Sequence, residues 1–116
     1  MQNYVTRFFV LLAFVTFAIG CQQDLTGVQP EQQYQALLVE AACGQCQFGL
    51  PGTSCDLAVR IDGKAYYVDG IGIDDHGDAH ADDGFCNVVR QARVEGRIDK
   101  GRFVATSFEL LPGDNE

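Results

Sequence analysis

The sharpest alternation of apolar and polar positions runs through Leu57-Ala-Val-Arg-Ile61, Asp62-Gly63 and Lys64-Ala-Tyr-Tyr-Val68. Asp-Gly supplies the positive φ angles of a two-residue type I′ turn, whose twist suits two antiparallel strands. Such a turn pairs Ile61 with Lys64, Val59 with Tyr66 and Leu57 with Val68. Leu57, Val59, Ile61, Tyr66 and Val68 then share one face, and a single consistent face is the internal check on a hairpin register. The pattern predicts that this face is core and that Arg60 and Tyr67 point the other way.

A second hairpin is predicted downstream: Val94-Glu-Gly-Arg-Ile98, a three-residue loop Asp99-Lys-Gly101 with Gly101 in the left-handed position, then Arg102 to Leu111. Ahead of it, Phe85, Val88, Val89 and Ala92 fall at i, i+3, i+4 and i+7, which predicts a short helix from Gly84 to Arg93 capped by Asp82 or Asp83. Residues 69–83 are too polar and glycine-rich for a regular element and form a long loop, a type that is usually functional or disordered. Residues 47–54 hold two glycines and a proline and read as a second loop. Tyr34 to Ala42 has helix-forming composition after Pro30, yet is taken as a strand leading into the first cysteines. The order strand, strand, strand, short helix, strand, strand predicts a mainly β (α+β) chain. It fits a small five-stranded OB-like barrel with one short helix between strands 3 and 4.

The N-terminus is read apart from the fold. Arg7 precedes a 12-residue apolar run, Phe8 to Ile19, too short for a bilayer core that needs roughly 20 residues. The run ends in Ala18-Ile19-Gly20-Cys21, which resembles the lipobox of bacterial lipoproteins, although Ala18 departs from the usual Leu. That resemblance implies lipidation of Cys21 and removal of residues 1–20; an ordinary secretory signal is the alternative. Gln22 stands where an inner-membrane retention Asp would be, so the expected location is the cell envelope, with the chain lipid-anchored to the outer membrane and facing the periplasm or the cell surface. Residues 21–33 then form a flexible tether, 34–112 the domain and 113–116 a tail.

Charge narrows the partners. The full chain carries net −8, and loss of Arg7 with the first 20 residues makes it −9. Phosphate binding needs a basic face, so nucleic acid is not expected as a partner. Arg90, Arg93, Arg97, Lys100 and Arg102 gather near the C-terminus, whereas positions 69–83 hold no Lys or Arg. The acids are expected to be solvated rather than paired, and they offer a surface for a basic protein partner.

Candidate chemistry is concentrated between Cys43 and Cys86. This stretch holds four of the five cysteines (Cys43, Cys46, Cys55, Cys86), both histidines (His76, His80) and the aspartates Asp74, Asp75, Asp78, Asp82 and Asp83. From Val39 to Leu111 the chain resembles a family of small bacterial lipoproteins of unknown function, through the blocks CGQCQFG, IDGKAYYVDG, DDHGDAHADDGFC and GRFVATSFELL. The resemblance implies no activity.

Three readings of the cysteines stand. Outside the cytoplasm, four cysteines in a small domain form a disulfide framework with three alternative pairings. Thiolates and imidazoles are also the ligands of zinc and copper, and Cys43 and Cys46 can offer two sulfurs from one turn, with Cys55, Cys86, His76 and His80 as further donors. The five aspartates would orient those imidazoles and concentrate cations. The third reading, thiol-disulfide exchange, needs a helix after Cys43, which Gly49 and Pro51 cut short; Cys86, at the start of the expected helix, is better placed for a lowered pKa. No GxSxG, GxxxxGK or HExxH occurs, so an enzyme is not expected. The leading reading is a lipid-anchored domain binding a zinc or copper ion, and the competing one a disulfide-stapled interaction module with an acidic loop.

Overall fold

A computed structural model describes residues 32–113; the expected signal segment, Cys21 and nearly all of the tether lie outside the described residues. The elements are β1 (Gln33–Cys43), α1 (Gly44–Gln47), β2 (Leu57–Ile61), β3 (Lys64–Asp69), β4 (Arg90–Asp99) and β5 (Arg102–Leu110). The strands close into a barrel in the order β1-β2-β3-β5-β4, with β4 returning to β1. All neighbours are antiparallel except β3 and β5, which run parallel through only two pairs, Val68 with Phe103 and Asp69 with Val104. This is the five-stranded Greek-key closure expected of an OB-like barrel.

The register of the β2–β3 hairpin is the expected one: Ile61 faces Lys64 and Val59 faces Tyr66. Asp62 and Gly63 have φ of 49° and 80°, as a type I′ turn requires. Leu57, Val59, Ile61 and Val68 are buried, and Tyr66 packs against them. They share the interior with Val39, Val94 and Phe103. Burying one such side chain stabilises by about 1.5–3 kcal/mol, so this alternation is what drives closure.

Two expectations are corrected. The β4–β5 connection is a two-residue turn, because Asp99 still pairs with Arg102 and both Lys100 (φ 49°) and Gly101 (φ 76°) take the left-handed conformation. Residues 84–93 do not form a helix: Asn87 N and Val88 N both donate to Gly84 O, closing one turn, and Arg90 already begins β4. Strand pairing prevails there because Ala92 and Val94 are buried while Arg93 and Glu95 are exposed, and both β1 and β5 are open to pair with this segment. The α-helix proper is α1, a single turn between β1 and β2.

Strand direction sorts the connections. Both tight turns lie at one end of the barrel, where β1 also begins. Residues 44–56, residues 70–89 and the end of β5 lie at the other, hereafter the mouth. Among the described residues no helix is long and apolar enough to cross a membrane.

Candidate metal centre

Every cysteine of the described chain lies in or beside a mouth connection. Cys43 ends β1, Cys46 lies in α1, Cys55 precedes β2 by two residues, and Cys86 precedes β4 in the 70–89 connection. Antiparallel order therefore brings them to one end before any local detail is considered. Their four Sγ atoms all lie within 4.8 Å of one another. A tetrahedral ion with metal–sulfur bonds of about 2.3 Å has sulfurs roughly 3.8 Å apart, so a small inward movement would complete the cage.

Local packing sets each donor. Cys43 is the N-cap of α1, its sulfur accepting from Cys46 N at 3.4 Å, so the turn itself folds around the first sulfur. Gly44 lets that turn lie flat on the outside of the sheet: a Cβ there would sit 2.5 Å from a Tyr67 ring carbon and 3.1 Å from Ala58 Cβ. Cys86 is brought in by backbone bonds. Cys86 N donates to Ala79 O at 2.9 Å, and Cys43 N donates to Phe85 O at 2.8 Å. Gly84 makes this approach possible, since a Cβ would fall 2.3 Å from Ala79 O. Cys43 is buried, Cys55 and Cys86 are half-buried, and Cys46 is exposed.

The sulfurs perturb one another. Burial by itself would raise the Cys43 pKa, but hydrogen bonds from Cys46 N–H, the Cys46 thiol, Gln45 N–H and Cys55 bring it below the usual thiol value. The hydrogen bond with Cys43 raises Cys46 to about 11, and burial followed by Cys55 and Cys43 raises Cys86 to about 12. Cys43 thus takes the role expected of Cys86. Binding an ion would displace the protons of Cys46 and Cys86, which makes uptake weaken as pH falls.

The six donors expected from the sequence separate into two groups. Among the described residues, the cluster within coordinating distance contains sulfur only. His76 instead stacks against Phe108 with ring centroids 4.9 Å apart, and His80 is exposed, 3.9 Å from Asp78. Neither imidazole joins the sulfur cluster, and Phe108 of β5 provides an apolar surface for His76.

The five aspartates also act elsewhere. Asp74 accepts from Ala79 N, Asp75 from Gly72 N and Asp78 from His80 N, Asp83 lies 3.9 Å from Arg90, and Asp82 is exposed. Asp74, Asp75 and Asp78 shape the loop rather than orient ligands. Asp69, at the start of the acidic stretch, is paired rather than merely solvated, since Arg102 grips it through two nitrogens, with contacts of 2.7 to 3.0 Å.

The polar groups that do surround the sulfurs are two glutamines. Gln45 Oε1 lies 3.5 Å from Cys43 Sγ and accepts from Asp56 N, Gln45 Nε2 donates to Asp56 Oδ2 at 2.8 Å, and Gln47 Nε2 donates to Cys86 O at 2.8 Å. Their position inside Cys-Gly-Gln-Cys-Gln was the one available signal, and no spacing rule singles it out.

Four sulfurs converging on one point can hold a single ion with every coordination position filled. An iron–sulfur cluster would set cysteines on different irons further apart than one shared ion does. Compared with protein-family models, residues 37–111 match a family described as "Family of unknown function (DUF6370)". No match was found among curated proteins or among solved structures.

Proposed function

The chain belongs to that family, DUF6370, whose description carries no activity, and on this premise we propose a function from the sulfurs: a lipid-anchored envelope protein whose barrel mouth binds one transition-metal ion. The observation that carries the reading is the approach of all four Sγ atoms to within 4.8 Å. A disulfide framework needs sulfurs only in pairs, whereas one ion needs four around a centre. Zinc is the favoured ion, since a four-thiolate tetrahedral set is its ordinary structural site, with copper second. Because sulfur fills all four positions, no place is left for a metal-bound water, and this supports a binding role over a catalytic one. The ion would tie the end of β1, the 44–56 connection and the 70–89 connection together.

The lipid anchor rests on the Ala18-Ile19-Gly20-Cys21 pattern and the outer-membrane address on Gln22. The test uses the full-length protein, expressed with its own N-terminal segment and extracted in mild detergent. Elemental analysis should give one ion per chain, and denatured protein should give four reactive thiols from the domain. Two disulfides and no ion would sink the metal reading and leave the stapled interaction module with its acidic loop.

A further inference from the structure

α1 contributes more than two sulfurs. Residues two apart on an α-helix point roughly 200° apart, so Gln45 and Gln47 leave this single turn on opposite sides. One reaches the segment bearing Cys55 and the other the segment bearing Cys86.

The Gln45 carboxamide is fixed in orientation. The Asp56 carboxylate can only accept, so the amide NH2 must face it. Oε1 then takes the Asp56 N–H at 3.0 Å, and Ser54 Oγ closes on the same carboxylate at 2.6 Å. Cys55, between Ser54 and Asp56, is therefore held from both sides. Gly44 N donating to Asp56 O at 2.8 Å adds a backbone tie. At the opposite side Gln47 Nε2 binds Cys86 O, while Cys86 N binds Ala79 O.

We propose that Gln45 and Gln47 are the specificity-determining positioning residues of the four-sulfur centre, each fastening one distant cysteine to α1 so that four sulfurs rather than three surround the ion. The inference rests on the thiolate-centre reading above. Its chemical consequence is selectivity. A tetrahedral divalent ion uses all four thiolates, whereas Cu(I) is satisfied by fewer, so geometry rather than sulfur content decides between them. Releasing either clasp should cost zinc and spare Cu(I).

The experiment compares full-length wild type, Gln45→Ala, Gln47→Ala and a control, Gln91→Ala, whose side chain is exposed on β4. Zinc and Cu(I) affinities are measured by chelator competition, thiolate number from the Co(II) absorption spectrum, and cysteine accessibility by iodoacetamide labelling with peptide mass spectrometry. Loss of a group that orients a ligand typically costs about 10- to 100-fold in affinity, and each clasp variant should lose zinc by that factor while Cu(I) changes much less. Labelling should rise at Cys55 alone in Gln45→Ala and at Cys86 alone in Gln47→Ala, with one thiolate fewer in each Co(II) spectrum. Gln45→Glu, which sets a carboxylate against Asp56, should behave as the alanine variant. Equal losses of both ions, or the same labelling pattern in both variants, would reduce the glutamines to general packing and overturn the proposal. A wild type that loads zinc and keeps it in both variants removes this inference alone. A wild type that takes up neither ion removes the thiolate-centre reading and the selectivity with it.

Discussion

At the turn end of the barrel the chain reverses twice in two residues, at Asp62-Gly63 and Lys100-Gly101, whereas at the mouth it spends residues 44–56 and 70–89 on the same task. The turn end is local in origin: positive φ at the turn residues and alternation in the flanking strands determine it. The mouth is held by contacts between distant segments, such as Gln47 with Cys86 and Cys43 N with Phe85 O. Few apolar side chains are buried in its connections, Phe85 being the largest. A segment with so little apolar burial depends on directional bonds and, in the proposed function, on an ion. The barrel should therefore survive changes that dismantle the mouth, and the mouth should not survive loss of the barrel.

The largest test of that asymmetry is Phe103→Ala. Phe103 is fully buried, and truncation of such a ring costs about 3–5 kcal/mol, so the denaturation midpoint should collapse and metal binding should vanish with it. Removing the ion with a chelator comes next. An ion present at a hundredfold its Kd stabilises by about 2.7 kcal/mol, and its removal should lower Tm and open residues 70–89 to proteolysis while β2–β3 stays protected from hydrogen exchange. Gly84→Ala should follow at about 1–3 kcal/mol, because backbone must move to admit the methyl group, and its zinc affinity should drop with far-UV circular dichroism unchanged. Arg102→Gln removes a half-exposed ion pair worth about 0.2–1 kcal/mol, an effect that added salt should mask.

The smallest effect concerns Asp56. Hydrogen bonds from Ser54 and then Gln45 hold its pKa below the usual carboxylate value. A lowered carboxylate pKa contributes stability that is present above the unfolded value and is lost as pH falls through the folded one. Stability of the Asp56→Asn variant should accordingly depend less on pH below about 4 than wild type does, as checked by denaturation at several pH values. Equal pH dependence would show that the clasp exerts no pull on this carboxylate.

The turn end was open to reading from sequence because its information is short-range. Period-two alternation from Leu57 to Val68 gives the register, and strand order gives the barrel. The helix expected over 84–93 failed because Phe85, Val88, Val89 and Ala92 satisfy a helical period, while Ala92 and Val94 satisfy a strand period just as well. Only the open edges of β1 and β5, which exist once the barrel forms, decide between them. The same applies to the site. Cys43 and Cys46 declared themselves by spacing, but the arrival of Cys86 depends on Gly84 passing close to Ala79. The diversion of His76 depends on a phenylalanine 32 residues further along the chain.

Because β1 begins at the turn end, whatever precedes Gln33 joins the barrel opposite the sulfurs. With a lipid on Cys21, as proposed, the point of attachment to the barrel and the four sulfurs would lie at opposite ends of it. A metal donor or acceptor approaching from solvent would meet Cys46 first, since it is the exposed member of the four.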